Sequence, residues 1–325
     1  ITLIGMPGSG KSTLANEIED KLGIKNIDTD KIIRAEVGEI KEFIKKYSWE
    51  SFRDLECKHI FNTISDNYFK VISTGGGVIE SPCSRNIMEN SLIIWIQREE
   101  DINDTKKREL EDSYENLKIR RNNIYESLSD YIYVNDKTPF DFIKWLRLTL
   151  FSNPIPSNST FLCKTDEKYE PNISNLIELR GDISSNNSYN LDKIQNLMIN
   201  FGKPCIYTLR SKKEGGNFEG SEQEYEKIIK KAIKLGVKMI DFELSKKTDT
   251  DFEIETIGSI HSDNIEYITK NINDNYCHNI LKIVTSVPNC QILEKSNLAK
   301  NTILVDNKSN EFRVKNKYMT PISSV

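Results

Sequence analysis

The sequence predicts two α/β domains in succession, first a three-layer domain on a parallel sheet and then a closed (β/α)8 barrel. A glycine-rich turn follows the first apolar run, and short apolar runs alternate with helix-length polar segments along the whole chain. A polar stretch with prolines divides the chain near its middle. Because 325 residues exceed one ordinary core, we expect domains at 1–151 and 160–325, joined by a linker at 152–159.

Bulk composition argues against several functional classes. The formal net charge is −4, which argues against a nucleic-acid partner held by a general basic field. No apolar run approaches the roughly 18 residues that span a bilayer, and no signal peptide is visible, so we expect a cytoplasmic protein without a membrane partner. The six cysteines are scattered without a CxxC pair, which favours buried thiols over a disulfide framework.

The first apolar strand runs into a glycine-rich phosphate-binding loop (P-loop) and then into a helix. Glycines let backbone N–H groups point at a phosphate, and the helix N-terminus adds its positive end. Lys11 can reach the outer phosphates, and the Ser12 hydroxyl can ligate Mg²⁺. A tight turn that uses glycine only for packing is the alternative. The residues expected to hold the nucleotide phosphates are Gly5, Gly8, Ser9, Gly10, Lys11, Ser12 and Thr13.

Further patterns follow the P-loop in an order that suggests one substrate pocket. Asp28 and Asp30 end the second predicted strand, and Arg53 precedes Glu56 by three residues on a helix, so that these two can touch. A glycine triplet, Gly75–Gly77, follows the third strand, where glycine permits a close backbone approach to a ligand. Each pattern alone also fits a turn, a surface ion pair or a flexible loop. Their joint occurrence is more specific.

Over about residues 1–150 these motifs resemble the shikimate kinase family, which has a P-loop kinase fold. The resemblance implies ATP and Mg²⁺ as cofactors, with Asp28 supporting the Mg²⁺ shell and Asp30 binding a substrate hydroxyl. Asp30 can also accept the proton of that hydroxyl, and Lys11 stabilises the moving phosphoryl group. Glu109 and Asn123 stand where the family has proline. The resemblance further implies Arg108 as the lid arginine over ATP, and a substrate-binding set of Asp30, Arg53, Gly75, Gly76, Gly77 and Arg121.

In the second half, chemistry-bearing residues lie at the ends of eight predicted strands, where barrel enzymes place their active sites. Lys282 interrupts an apolar strand. Burial of a charged amine is costly, so we expect a lowered pKa and a neutral, nucleophilic amine. A lysine that reaches solvent or pairs with Glu243 is the alternative. His261 ends another strand, and a lone histidine at such a position is more often a structural residue than a catalyst.

These motifs resemble type I 3-dehydroquinate dehydratase, a TIM barrel, over about residues 160–325. The resemblance implies that Lys282 forms an imine with the substrate ketone without any cofactor, and that His261 is the general acid and base. The chain ends at Val325, before the loop that closes over the substrate in that family, so we expect a barrel truncated at its C-terminus. The implied substrate-binding residues are Glu178, Arg180, Arg210, Glu214 and Arg313.

The two resemblances follow each other as they do in the multifunctional shikimate-pathway polypeptide called AROM. This implies phosphorylation of shikimate and dehydration of 3-dehydroquinate by an internal portion of such a polypeptide, with neighbouring shikimate-pathway domains missing and a homodimer left open. A non-catalytic quinate-pathway repressor-like metabolite sensor and a P-loop kinase for another small polyol are the alternatives. The presence of Lys11, Asp30, His261 and Lys282 favours catalysis.

Overall fold

The computed structural model describes residues 1–66, 68–98, 112–151, 159–164, 175–184, 188–244, 254–275, 279–294, 302–306 and 319–323. The chain divides into two compact units, Ile1–Lys144 and Trp145–Val325. Each unit is built on a parallel sheet, and the predicted fold class is confirmed. The finer domain bounds at 151 and 160 stay a prediction. Among the described helices, none is both long and apolar enough to cross a membrane.

The first unit contains a five-stranded parallel sheet with its first strand at the centre. All three residues of that strand are buried, as expected for a parallel strand covered on both faces. In sheet order the strands are β2 (Asn26–Asp28), β3 (Val71–Ser73), β1 (Thr2–Ile4), β4 (Ile93–Gln97) and β5 (Tyr131–Val134). The helices of this half of the chain are α1 (Lys11–Leu22), α2 (Thr29–Val37), α3 (Ile40–Lys46), α4 (Trp49–Ser65), α5 (Pro82–Met88), α6 (Tyr114–Leu128) and α7 (Pro139–Leu150).

Local sequence fixes where the helices around the sheet begin. Gly10 precedes α1 with φ 95°, and Gly23 ends it with φ 68°, a left-handed conformation that glycine adopts without strain. The side chains of Asp28, Ser48 and Ser81 accept backbone N–H bonds at the starts of α2, α4 and α5. Since α2 and α4 carry residues predicted for the site, these caps set the positions of those residues.

The second unit contains eight parallel strands in the order of a (β/α)8 barrel. The last strand pairs with the first, which the topology of a barrel requires. The strands are β6 (Ser159–Lys164), β7 (Leu176–Arg180), β8 (Cys205–Thr208), β9 (Met239–Glu243), β10 (Glu255–His261), β11 (Ile280–Thr285), β12 (Thr302–Asp306) and β13 (Met319–Ser323). The helices are α8 (Ile194–Phe201), α9 (Glu222–Lys234), α10 (Ile265–Asn275) and α11 (Val287–Glu294).

The sheet of the second unit is curled so that distant strands face each other across its interior. Lys282 on β11 lies with its Nζ 3.4 Å from Oε1 of Glu178 on β7, although three strands separate β11 from β7 in the sheet. Leu281 and Ile283, the neighbours of Lys282, belong to the apolar cluster that includes residues of α10 and α11. Because side chains alternate along a strand, Lys282 is directed to the opposite face, which is the interior.

Two of the cysteines whose side chains the structure describes form a disulfide. Cys57 on α4 and Cys83 at the start of α5 are joined, with their Cα atoms 6.2 Å apart, so the expectation of thiols throughout is wrong for this pair. The two lie 26 residues apart in sequence and meet because α4 and α5 are neighbours in the fold. Cys205 and Cys290 are buried thiols, as expected.

Candidate active sites

Glycine residues shape the P-loop between β1 and α1. Gly5, Gly8 and Gly10 have φ values of 146°, 84° and 95°. A side chain at Gly5 would also collide with the backbone carbonyl of Ile96 on β4. The loop therefore needs glycine at these positions, and it presents the N-terminal N–H groups of α1 in the geometry that binds phosphate.

The Lys11 side chain folds back over the P-loop residues that precede it in sequence. Lys11 is buried, and its ammonium donates hydrogen bonds to the carbonyls of Gly5 (2.8 Å) and Met6 (2.9 Å) and lies 3.4 Å from Ser9 Oγ. Its charge thus stays beside the backbone N–H groups of the loop. This arrangement fits the charge and shape of a polyphosphate.

The two residues that were predicted to support Mg²⁺ supply one hydroxyl and one carboxylate. Ser12 Oγ lies 3.1 Å from Ser73 Oγ at the end of β3, and the carboxylate of Asp28 accepts the N–H of Lys31 at 3.1 Å as the cap of α2. Within the described ranges there is no cluster of three or more His, Cys, Asp or Glu residues placed to hold a metal ion. A serine hydroxyl and a carboxylate are groups that Mg²⁺ takes as ligands together with waters and substrate phosphates.

A cavity of about 290 Å³ lies beside the glycine triplet of the first unit. Its walls include Asp30, Arg53 and Glu56. A Cβ on Gly75 would stand 2.5 Å from Glu56 Oε1 and 2.8 Å from Asp30 Oδ1, and one on Gly77 would collide with the Arg53 guanidinium. Only glycine leaves room for these charged groups, so the structure brings the separate sequence patterns into one pocket.

A buried ion pair orients the arginine of this cavity. Arg53 Nη1 donates to Glu56 Oε2 at 2.5 Å, as the i, i+3 spacing predicted, and the guanidinium carbon lies 5.1 Å from the ring centre of Trp49. Burial raises the pKa of Glu56 to about 7, against the opposing charge of Arg53 and with a further upward contribution from Asp30. The Glu56 carboxyl therefore titrates near neutral pH.

The raised pKa of Glu56 makes the stability of the first unit pH-dependent. Its folded-state pKa of about 7 lies above the ordinary glutamate pKa of 4.5, so its contribution to stability is complete below pH 4.5 and is lost as the pH rises through 7. In urea denaturation at pH 5 and pH 8, we expect wild type to lose roughly 2 to 3 kcal/mol of unfolding free energy relative to Glu56→Gln. Equal pH dependence of the two proteins would contradict this expectation.

The second arginine of the cavity is held by an acidic residue that sequence reasoning did not assign. Arg121 on α6 is buried and lines the same cavity, and its Nε donates to Glu80 Oε1 at 2.7 Å. Arg120 donates to the same oxygen at 2.8 Å. Burial raises the pKa of Glu80, but the hydrogen bonds and charges of both arginines outweigh it and lower the pKa. The sequence signal that could have identified Glu80 was an acidic residue three positions after the glycine triplet.

Tyr125, four residues after Arg121 on α6, is a further residue that sequence reasoning did not assign. Its hydroxyl donates to the carbonyl of Gly76 at 2.5 Å, and its fully buried ring stacks on Trp95 with 5.7 Å between ring centres. The bond ties α6 to the glycine triplet. It thereby fixes one wall of the cavity against another.

Removal of the Glu80 charge is expected to weaken the hold on Arg121. In Glu80→Gln, Arg120 and Arg121 repel each other without a shared anion, so we expect the KM for shikimate, the substrate that the sequence resemblance implies, to rise about five- to tenfold with little change in kcat. The measurement is steady-state ADP release with shikimate varied. Glu89→Gln is the matched control, since Glu89 is exposed at the end of α5. An unchanged KM in Glu80→Gln would remove the positioning role.

A buried lysine lies at the centre of the second unit. Lys282 Nζ donates to Asp241 Oδ2 at 2.9 Å and to Glu178 Oε1 at 3.4 Å, and Thr208 Oγ1 donates to the same Glu178 oxygen at 2.8 Å. Burial lowers the pKa of Lys282, but the carboxylates of Asp241 and Glu178 outweigh burial, and the pKa is raised. The expectation of a neutral amine in the resting protein is therefore wrong.

The alternative pairing of Lys282 with Glu243 is also wrong. Glu243 instead accepts the backbone N–H of Ser211 at 2.5 Å and its hydroxyl at 2.8 Å. Glu243 thus fixes the loop after β8. Asp241, two residues earlier on the same strand, is the stronger partner of the lysine.

A chain of charged contacts leads from this lysine to the histidine. Arg210 is buried, and it donates to Asp241 Oδ1 (3.0 Å), Ser259 Oγ (2.7 Å) and Glu214 Oε2 (3.3 Å). The same Glu214 oxygen lies 3.4 Å from Nδ1 of His261. The structure therefore assembles the sequence-predicted residues around Asp241 and Ser259, two polar groups that sequence reasoning did not assign.

The histidine of this centre is neutral near pH 7. Burial lowers the pKa of His261 well below its usual range, and the positive charges of Arg210 and Lys282 lower it further. A neutral imidazole can accept a proton. Glu214, whose Oε2 lies 3.4 Å from Nδ1, is placed to orient the imidazole.

Arg180 has a bidentate partner within its own motif. Its Nε and Nη2 each donate to one oxygen of Asp182 at 2.7 Å, and that carboxylate also accepts the backbone N–H groups of Arg210 (3.2 Å) and Asn217 (3.1 Å). Asp182 thus joins the ends of β7 and β8. The predicted Arg108 and Arg313 lie outside the described residues.

Comparisons with known proteins divide the chain in the same way. A family model for shikimate kinase matches residues 7–146, and one for type I 3-dehydroquinase matches residues 164–291. The chain is 33% identical over 286 residues to a pentafunctional AROM polypeptide of Komagataella phaffii, which covers 75% of this chain. The matched region spans only 18% of the length of that relative.

Two solved structures are similar to separate parts of the chain. One is a shikimate kinase from Acinetobacter baumannii in complex with shikimate, with 22% identity and a TM-score of 0.42, covering 46% of this chain and 92% of that chain. The other is a type I 3-dehydroquinate dehydratase from Clostridium difficile, with 15% identity and a TM-score of 0.40, covering 55% of this chain and 89% of that chain. Residues 7–146 thus match the shikimate kinase family and residues 164–291 match the type I 3-dehydroquinase family, one after the other along the chain.

Proposed function

We propose that the chain is a bifunctional enzyme of aromatic amino-acid biosynthesis. Its first domain (1–151) phosphorylates shikimate to shikimate 3-phosphate with ATP, and its second (160–325), after a linker at 152–159, dehydrates 3-dehydroquinate to 3-dehydroshikimate. The observation that carries the proposal is that each family match coincides with an assembled centre of suitable chemistry. These are the P-loop and glycine-lined cavity in one unit, and the buried Lys282 in the other.

In the kinase reaction, ATP supplies the phosphoryl group and Mg²⁺ neutralises its charge. The N–H groups of the P-loop and the Lys11 ammonium would hold the phosphates. Asp30 would orient the attacking hydroxyl and accept its proton. Arg53 and Arg121, held by Glu56 and Glu80, would bind the substrate carboxylate, because a planar guanidinium can contact both of its oxygens.

In the dehydratase reaction, Lys282 first has to lose the proton that Asp241 and Glu178 stabilise. The neutral amine adds to the substrate ketone, and loss of water leaves an imine. The imine withdraws electrons from the adjacent carbon, so that a proton can leave to neutral His261 and return from it to the hydroxyl, which departs as water. Hydrolysis of the imine by another water then frees the product ketone and the amine of Lys282. Arg210 and Arg180 supply positive charge near the substrate carboxylate.

A paired assay on the intact chain tests both activities. We expect shikimate-dependent release of ADP, none with gluconate, and formation of 3-dehydroshikimate from 3-dehydroquinate by the same preparation. Absence of shikimate-dependent ADP would remove the kinase proposal, and absence of 3-dehydroshikimate would remove the dehydratase proposal. The cytoplasmic location, the homodimer and the neighbouring shikimate-pathway domains stay predictions.

A further inference from the structure

The disulfide of the first unit lies beside the proposed substrate pocket. Cys57 and Cys83 are the only cysteines in residues 1–151 of the sequence, and they are bonded to each other. Cys57 is 8% exposed, whereas Cys83 is exposed on the surface. One sulfur is therefore open to reagents from solvent, and its partner is buried.

On α4, the disulfide is attached next to the residue that holds Arg53. Cys57 follows Glu56, the carboxyl group that bonds Arg53, and stands one helical turn after Arg53 itself. A shift of α4 at Cys57 would therefore move both members of the ion pair.

On the other side, the disulfide is tied to the support of Arg121. Cys83 lies three residues after Glu80, which accepts the hydrogen bond from Arg121. Arg85, also in α5, donates to the carbonyls of Ile79 (2.6 Å) and Glu80 (3.3 Å). The start of α5 and the turn that carries Glu80 are thus joined by hydrogen bonds. The disulfide links this joined segment to α4.

We propose that Cys57 and Cys83 form a redox modification site that sets the affinity of the kinase unit for its carboxylate substrate. This inference rests on the proposed kinase function. In the disulfide form, the cross-link holds the supports of both arginines at a fixed separation. In the dithiol form, only non-covalent contacts hold them, and the carboxylate-binding arginines lose their fixed spacing.

The chemistry is an exchange between this disulfide and a dithiol reductant. A thiolate of the reductant attacks the exposed Cys83 sulfur, the Cys57–Cys83 bond breaks, and Cys57 leaves as a thiolate that takes up a proton. The second thiol of the reductant then displaces Cys83. Two electrons and two protons pass to the protein, which gains two thiols, and the reductant becomes a cyclic disulfide. Disulfides of proteins in reducing compartments are commonly of this reversible kind.

The test compares the oxidised chain with the chain reduced by dithiothreitol, with alkylation and peptide mass mapping of both cysteines. We expect both peptides to be alkylated only after reduction, and the KM for shikimate to rise about fivefold, within the range common for coupled sites. The kcat should stay within about twofold, and dehydration of 3-dehydroquinate should not change. Cys83→Ser should show the high KM in both buffers.

Two results would overturn the redox site. One is alkylation of both cysteines without reductant, and the other is an equal KM in the oxidised and reduced chains. Loss of the proposed function is a different outcome, because shikimate-dependent ADP would then be absent in both states. In that case, equilibrium binding of shikimate, followed by the fluorescence of Trp49 in the cavity wall, still decides whether the disulfide alters affinity.

Discussion

Replacing Lys282 by methionine is expected to lower dehydration of 3-dehydroquinate by on the order of 10⁴-fold or more, while phosphorylation of shikimate stays unchanged. The buried amine is the group that would form the imine, and removal of a covalent nucleophile commonly has an effect of this size. In wild type, borohydride added with 3-dehydroquinate should attach ligand mass to the peptide that contains Lys282. The variant should show no added mass.

Lys282→Arg separates the chemical role of the lysine from its electrostatic one. Arginine keeps a positive charge beside Asp241 and Glu178, but it cannot form the imine. We expect this variant to unfold at nearly the wild-type temperature and to remain inactive. Dehydratase activity in either variant, or unchanged peptide mass in the wild-type trapping experiment, would rule out the covalent role.

The second large effect concerns the P-loop. In Lys11→Ala, we expect shikimate-dependent ADP release to fall by on the order of 10³-fold, because the ammonium that the loop holds beside the phosphates is lost. Dehydratase activity of the same preparation should not change. Lys21→Ala, at an exposed position near the end of α1, is the matched control and should retain both activities.

Parallel loss of both activities in Lys11→Ala would contradict the independence of the two sites. Full kinase activity in that variant would contradict phosphate binding by Lys11. The far-UV circular dichroism spectrum of the variant separates these outcomes from general unfolding, because unfolding would remove the helical signal together with both activities.

The sequence was sufficient for the arrangement of strands. The alternation of strands and helices predicted for both halves is present, including the eight strands of the second half. Buried parallel strands are short apolar runs between polar segments, so each strand can be located from its own residues and their immediate neighbours. The pocket beside the glycine triplet could also be predicted from the sequence, because residues at the carboxyl ends of neighbouring parallel strands meet at one edge of the sheet.

The charge state of Lys282 could not be predicted from the local sequence in this way. Its two carboxylate partners lie 41 and 104 residues away in sequence, and only the curled sheet brings them within hydrogen-bond distance. Burial alone predicted a neutral amine, whereas burial with two anions gives an ammonium. The disulfide and the Glu80 contacts were missed for the same reason, since each depends on which segments pack together.

The resting ammonium of Lys282 also bears on selectivity. A protonated amine has no lone pair to offer, so stray aldehydes and ketones that diffuse into the barrel meet an unreactive group. A cognate ligand that disturbs the carboxylate contacts would release the proton at the moment of attack. Under the proposed mechanism, reactivity arises only together with recognition, and the centre is spared from adventitious carbonyl adducts.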